Sequence, residues 1–121
     1  MNALQTHTKH DKFFDEILAF TINPTEADEQ IRKGSRVMVI DVRESKDFIK
    51  RHVPNAINLS DRQWWDTSGW PIDWPLIVYG YSFTCPVADK AVSEFARQGF
   101  LVMEIAGGFE TWQKNRLPCE V

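Results

Sequence analysis

Short apolar segments that alternate with helical patterns constrain the fold of this 121-residue chain more than any other feature. Each segment is too short for a helix but typical of a strand that is covered on both faces. Helices between such strands give βαβ units, whose strands are parallel. We therefore predict an α/β fold with a mainly parallel central sheet and helices on both faces. The predicted strands are 37–40, 56–59, 76–79 and 101–105.

Helix signals occur near the N-terminus. Apolar residues at helical spacing predict an amphipathic helix from Asp11 to Phe20. Asn23 followed by Pro24 is typical of an N-cap and a first helical residue, with Glu26 as capping partner, and Gly34 marks the end of that second helix. We predict one domain over residues 1–121, in which 1–23 form an N-terminal helical extension.

Three more helices follow the predicted strands, and the last of them opens at Gly107-Gly108 and carries Phe109 and Trp112. A short helix from Ser45 to Lys50 is expected to turn Phe48 and Ile49 inward. The longest runs from Pro86 to Gln98 and is capped by Gly99. Its apolar stripe consists of Val87, Ala88, Ala91, Val92, Phe95 and Ala96.

Composition excludes several classes of function. The formal net charge is −3 and the basic residues are scattered, so the chain lacks the basic surface of a nucleic-acid-binding protein. No apolar run approaches the length of a membrane span, and residues 1–12 are too polar for a signal peptide. Two cysteines are too few for a secreted disulfide scaffold, so we expect a reduced, cytoplasmic setting. We expect no cofactor and no metal, because the cysteines and histidines show no ligand spacing.

Polar residues follow several predicted strands and should meet at one edge of the sheet. They are Asp41 and Arg43, Ser60, and the loop of Gly80, Tyr81, Ser82, Phe83, Thr84 and Cys85. In parallel sheets, ligands bind beyond the carboxyl ends of the strands. Because Pro86 suits the first helical position, Cys85 is expected to be the N-cap of the next helix, where the helix dipole favours a thiolate. The alternative is a small, half-buried residue at a turn, and Asp89 in the first turns opposes a negative charge there.

The chain also carries a family resemblance from about residue 24 to its end. It resembles the rhodanese-like (sulfurtransferase) domain in the strand ending Asp41-Val42-Arg43, the segment His52-Val53-Pro54-Asn55-Ala56-Ile57-Asn58, the strand Leu76-Ile77-Val78-Tyr79, and the closing residues Gly99-Phe100, Gly107-Gly108, Trp112 and Leu117-Pro118. The resemblance implies a rhodanese-like fold in which the loop from Gly80 to Cys85 binds substrate. A sulfurtransferase of this family carries a sulfane sulfur on a cysteine directly after the strand.

Gly80 occupies the position of that cysteine. The chain is similar to a subgroup with a Cys-x4-Cys loop, of which Cys85 matches the second cysteine. Two interpretations of Gly80 remain open: glycine permits a tight turn, or it leaves an open base that admits an anion. Two functions follow. The chain is a sulfurtransferase in which Cys85 carries the sulfur from a sulfane-sulfur donor, or it is a non-catalytic module that binds an anion or a protein. The sequence argues against a cysteine phosphatase, because Ala91 stands where the Cys-x5-Arg pattern needs arginine.

Most of the remaining conspicuous residues are predicted to have structural roles around this site. We expect Asp41 and Arg43 to form an ion pair at the strand end and His52 to make structural hydrogen bonds in its turn. Trp65 and Trp74 are expected to cover the core. For Trp64 and Trp70, core packing and a surface for a partner protein or thiophilic acceptor remain alternatives. Cys119 is expected to have no role.

Overall fold

A parallel five-stranded sheet forms the centre of the fold, with strand order β1-β5-β4-β2-β3. A computed structural model describes residues 19–60, 64 and 66–121. The strands are β1 (Ala19–Ile22), β2 (Met38–Asp41), β3 (Ala56–Asn58), β4 (Leu76–Tyr79) and β5 (Val102–Ile105). The helices of this part of the chain are α1 (Pro24–Arg32), α2 (Ser45–Lys50), α3 (Pro86–Arg97) and α4 (Gly108–Lys114). The predicted α/β fold with a parallel sheet is confirmed.

Two apolar clusters lie on opposite faces of the sheet. Helix α3 covers one face, where Phe95 packs with sheet residues such as Ile40 and Val78. Helices α1 and α4 cover the other, where Trp112 and Tyr79 are fully buried. All four residues of β4 are buried, as expected for the central strand of a sheet covered on both faces. The loop that leaves β4 therefore starts from a strand whose four residues are all buried.

The N-terminal prediction is wrong where the structure can be compared with it. Ala19 and Phe20 belong to β1, which pairs with β5, and not to a helix. The rest of the predicted helix, 11–18, lies outside the described residues. The Ala-Phe-Thr-Ile sequence of β1 is too short to show a strand period beside the helical spacing that precedes it.

The other element predictions hold to within a residue or two at their ends. The side chain of Asn23 accepts from the Glu26 N–H at 2.8 Å, as an N-cap should. Helix α2 is oriented differently from the prediction: Phe48 is half-buried, whereas Ile49 is 67% exposed. Val87, at the start of α3, is 37% exposed, while the rest of the predicted stripe is buried.

Candidate functional site

The loop of residues 80–85 connects β4 to α3 and is fixed from behind by α4. The N–H groups of Phe109 and Glu110 donate to the carbonyl oxygens of Gly80 and Tyr81 at 2.9 and 3.0 Å. This approach requires glycine at the start of α4. Gly108 has φ +63°, and a β-carbon there would lie 2.7 Å from the backbone nitrogen of Ser82.

The remaining N–H groups of the 80–85 loop are available to an acceptor. Within residues 19–60, 64 and 66–121, those of Ser82, Phe83, Thr84 and Cys85 donate to no backbone or side-chain group. Cys85 is the N-cap of α3 and Pro86 its first residue, as predicted. Free N–H groups at the start of a helix favour an anion or a thiolate.

The thiol of Cys85 points into the loop and is nearly buried. Cys85 is 8% exposed and belongs to the apolar cluster beneath α3. The sulfur makes no hydrogen bond to any described residue, so the hydroxyls of Ser82 and Thr84 do not donate to it. The thiol is free, and burial rather than hydrogen bonding holds it in place.

The space beside Gly80 is filled by that thiol. A β-carbon at position 80 would lie 2.5 Å from Sγ of Cys85, 3.0 Å from Cβ of Ala88 and 3.1 Å from Cβ of Cys85. The position is therefore not the open base that one of our interpretations predicted. We call the small volume between Gly80, Cys85 and Ala88 the loop interior.

Tyr81 fixes the outer side of the 80–85 loop to α2. Its hydroxyl donates to Oδ2 of Asp47 at 2.5 Å and accepts from the N–H of Glu44 at 3.1 Å. Burial and the hydrogen bond to Asp47 raise the pKa of Tyr81, and the same hydrogen bond lowers the pKa of Asp47. Further along the loop, Phe83 is 74% exposed.

A buried polar network lies at the carboxyl ends of β2 and β4. Asp41 accepts from Nη2 of Arg43 at 2.8 Å and from the hydroxyl of Tyr79 at 2.5 Å. The Tyr79 hydroxyl in turn accepts from the N–H of Val53 at 3.1 Å, and Nη2 of Arg43 also donates to the carbonyl of Arg51 at 2.7 Å. Asp41 and Tyr79 are 0% exposed and Arg43 is 5% exposed. The ion pair expected at the strand end is present, and both of its charged groups form hydrogen bonds within the protein.

The pKa shifts in this network follow from its burial. Burial alone would lower the pKa of Arg43, but the hydrogen bond and charge of Asp41 raise it overall. Burial, followed by the charge of Asp41, raises the pKa of Tyr79 far above its ordinary range. The Arg43 guanidinium also lies over the Phe109 ring, 4.1 Å from its centroid, which joins this network to α4.

His52 makes structural contacts in the segment that precedes β3. Its ring stacks on Phe48 with centroids 3.9 Å apart, and Nδ1 forms a hydrogen bond with the carbonyl of Phe48 at 2.9 Å. Its backbone bridges to Glu120 through two hydrogen bonds. Ser60 lies near α2, with its hydroxyl 3.2 Å from that of Ser45. Neither residue is among the nearest neighbours of the space beside Gly80.

The tryptophans divide between core and half-exposed positions. Trp64 is 6% exposed and donates from Nε1 to the carbonyl of Leu59, which supports core packing rather than a partner surface. Trp70 is half-buried against Phe95 and Phe100, and Trp74 is half-buried. Trp65 lies outside the described residues.

Sequence reasoning placed Tyr81 in the loop but missed Tyr79 and Phe109 as parts of the network around the site. Tyr79 ends an apolar strand and is typical of a core residue, because nothing in the local sequence reveals that its hydroxyl meets Asp41, 38 positions earlier.

Outside the network, a cleft of about 160 Å³ lies beside Phe83, with Asp89 and Glu104 in its wall. Burial and then the charge of Asp89 raise the pKa of Glu104 to about 6.

Within the described residues, no group of three or more histidine, cysteine or acidic side chains is placed to hold a metal ion. No helix of that part of the chain is long and apolar enough to span a bilayer.

Comparison with known proteins agrees with this architecture. A family model described as the rhodanese-like domain matches residues 23–115. The chain is 30% identical over 92 residues to the thiosulfate sulfurtransferase GlpE of Pseudomonas savastanoi pv. phaseolicola, covering 74% of this chain and 84% of that protein. A Bacillus halodurans crystal structure is similar at a TM-score of 0.77 and 28% identity, with 90% of this chain and 82% of the other covered. A rhodanese-related protein from Thermoplasma volcanium shares the fold at a TM-score of 0.69 and 22% identity, with 84% and 97% covered. The chain belongs to the rhodanese-like domain family.

Proposed function

We propose that this domain carries sulfane sulfur as a persulfide on Cys85 and acts as a weak sulfurtransferase. The observation that carries the proposal is the position of the Cys85 sulfur, 2.5 Å from where a β-carbon at position 80 would stand. The family's catalytic cysteine belongs at position 80. A sulfur therefore lies in the loop interior although Gly80 has no side chain.

The chemistry would take place on that sulfur. The Cys85 thiolate attacks the outer sulfur of thiosulfate, the sulfur–sulfur bond of thiosulfate breaks, and sulfite leaves with the bonding electrons. The persulfide then passes its outer sulfur to a thiophilic acceptor, such as a thiolate or cyanide, and the Cys85 thiolate is restored. The thiolate is the nucleophile in the first step, and position at a helix N-terminus favours it.

The free N–H groups of the 80–85 loop support the same proposal. Persulfide and thiosulfate are both anionic, and the unpaired N–H groups of Ser82 to Cys85 are donors of the kind that stabilise such charge. Arg43 is not needed as a substrate ligand, because Asp41 and the Arg51 carbonyl bind its guanidinium.

Thiocyanate formation from thiosulfate and cyanide tests the proposal. We expect a slow rate that is lost in Cys85→Ser and kept in Cys119→Ser, the matched control for the other free cysteine. A rate no greater than that of buffer, or equal rates in the chain and in Cys85→Ser, would contradict it.

The second candidate is a non-catalytic module that binds a small anion or a partner protein. The burial of Cys85, at 8% exposure, favours it, because a donor must reach the sulfur before any transfer. In this case the loop N–H groups bind a small anion with no covalent step, and a partner would contact exposed apolar groups such as Phe83 or the half-exposed Trp70. Anion binding that is unchanged in Cys85→Ser, together with absent turnover, would favour this candidate over the first.

A further inference from the structure

We infer that Gly80 is a positioning residue: the lack of a side chain at position 80 is what admits the Cys85 thiol to the loop interior. The consequence of this inference for sulfur transfer rests on the proposed function. The position of the Cys85 thiol can be tested independently of that function.

The argument begins with the space beside Gly80. Non-bonded carbon and sulfur atoms approach to about 3.5 Å, so a β-carbon 2.5 Å from Sγ would overlap it by roughly 1 Å. Ala88, the next nearest neighbour at 3.0 Å, is fully buried in the first turn of α3. The helix start cannot withdraw without disturbing the core, so the side chain that must move is the Cys85 thiol.

Backbone conformation gives no second reason for glycine at position 80. The glycines with positive φ are 34, 69, 99, 107 and 108, and Gly80 is not among them. An alanine could therefore adopt the backbone of Gly80 without left-handed strain. This contradicts the interpretation that a tight turn needs glycine at position 80. The remaining reason for glycine there is that it leaves room for the Cys85 sulfur.

Positions 80 and 85 thus direct their side chains into one volume. A β-carbon at position 80 would lie 3.1 Å from Cβ of Cys85, slightly less than the roughly 3.5–4.5 Å spanned by a disulfide. The loop interior accommodates one thiol, supplied from either end of the loop, and two thiols there would be close enough to bond.

Alkylation by iodoacetamide under native conditions tests the inference without any sulfur transfer. In Gly80→Ala the expelled thiol becomes accessible, and we expect Cys85 to react about tenfold faster, the factor that corresponds to an overpacking cost of about 1.4 kcal/mol. Cys119, which is half-buried elsewhere, serves as the internal control and should keep its rate. An unchanged rate at Cys85 would overturn the inference.

The double variant Gly80→Cys with Cys85→Gly covers the case in which Gly80→Ala unfolds and both cysteines react. It supplies the single thiol from the other end of the loop. We expect it to fold and its thiol to react with iodoacetamide at the rate of Cys85 in the unmodified chain. Failure to fold, or a thiol as reactive as that of an unfolded chain, would contradict the shared volume.

The single variant Gly80→Cys, treated with the oxidant diamide, gives a third test. Its two loop thiols should lose two hydrogens to diamide and form a disulfide between positions 80 and 85, whereas a disulfide to Cys119 or none would count against the inference. If Cys85 of the unmodified chain takes no sulfur from thiosulfate, the proposed function fails, but the alkylation and diamide results still decide the role of Gly80.

Discussion

Replacing Tyr79 by phenylalanine should be one of the most destabilising single-atom deletions near the site. The hydroxyl links Oδ2 of Asp41, at 2.5 Å, to the N–H of Val53, at 3.1 Å, and all three residues are 0% exposed. Without it, the Val53 N–H has no acceptor and the buried carboxylate retains only its contacts with Arg43. A lost hydrogen bond to a charged group costs about 1.5–3 kcal/mol, and a buried unsatisfied N–H about 1–3 kcal/mol.

These costs overlap, because the Asp41 carboxylate remains paired, so we expect Tyr79→Phe to lower the free energy of unfolding by about 3 kcal/mol. Equilibrium unfolding in urea measures it as a lower midpoint at unchanged slope. Tyr81→Phe is the matched control: its hydroxyl bonds to Asp47 and Glu44 on the surface, and its loss should cost about 0.5 kcal/mol. Equal effects of the two variants, or a loss below about 1 kcal/mol for Tyr79→Phe, would refute the view that the network is a buried, mutually dependent unit.

Three further variants test other parts of the structure. Arg43→Met leaves Asp41 buried without its counter-charge and should lower the free energy of unfolding in urea by about 3–5 kcal/mol. A loss below about 1 kcal/mol would contradict the view that Asp41 depends on this ion pair. Glu104 has a pKa of about 6, above the ordinary 4.5, so its ionised form destabilises the fold, and this penalty grows as pH rises from 4.5 to 6. Glu104→Gln should therefore stabilise by about 1 kcal/mol near neutral pH and by nothing well below pH 4.5, and a pH-independent effect would contradict the assignment. Gly108→Ala meets backbone atoms at 2.7 Å and should lower the melting temperature well below that of Gly34→Ala, which has a similar φ but no atom within 4 Å; equal melting temperatures would contradict the close approach of α4.

The order of strands and helices from α1 onward could be predicted, because each element carries its own signal. Short apolar runs mark the strands, and Asn23, Pro86 and the glycines at 34 and 99 mark helix ends. β1 could not be predicted, because its strand character comes from pairing with β5, more than 80 residues away.

The loop and its cysteine were also accessible from sequence, since Pro86 fixes Cys85 as the N-cap. What could not be predicted is that the Cys85 sulfur fills the space beside Gly80, because a side chain's direction depends on the neighbours that pack around it. The same holds for the hydroxyl of Tyr79, whose partners Asp41 and Val53 are remote in sequence.

The measurement that tests the central claim most directly is the mass of the peptide containing Cys85 after the protein has been incubated with thiosulfate. We predict a gain equal to one sulfur atom on Cys85, absent from the Cys119 peptide and removed by cyanide. A Cys85 peptide of unchanged mass, in protein whose fold is intact, would contradict the claim that this thiol carries the sulfur.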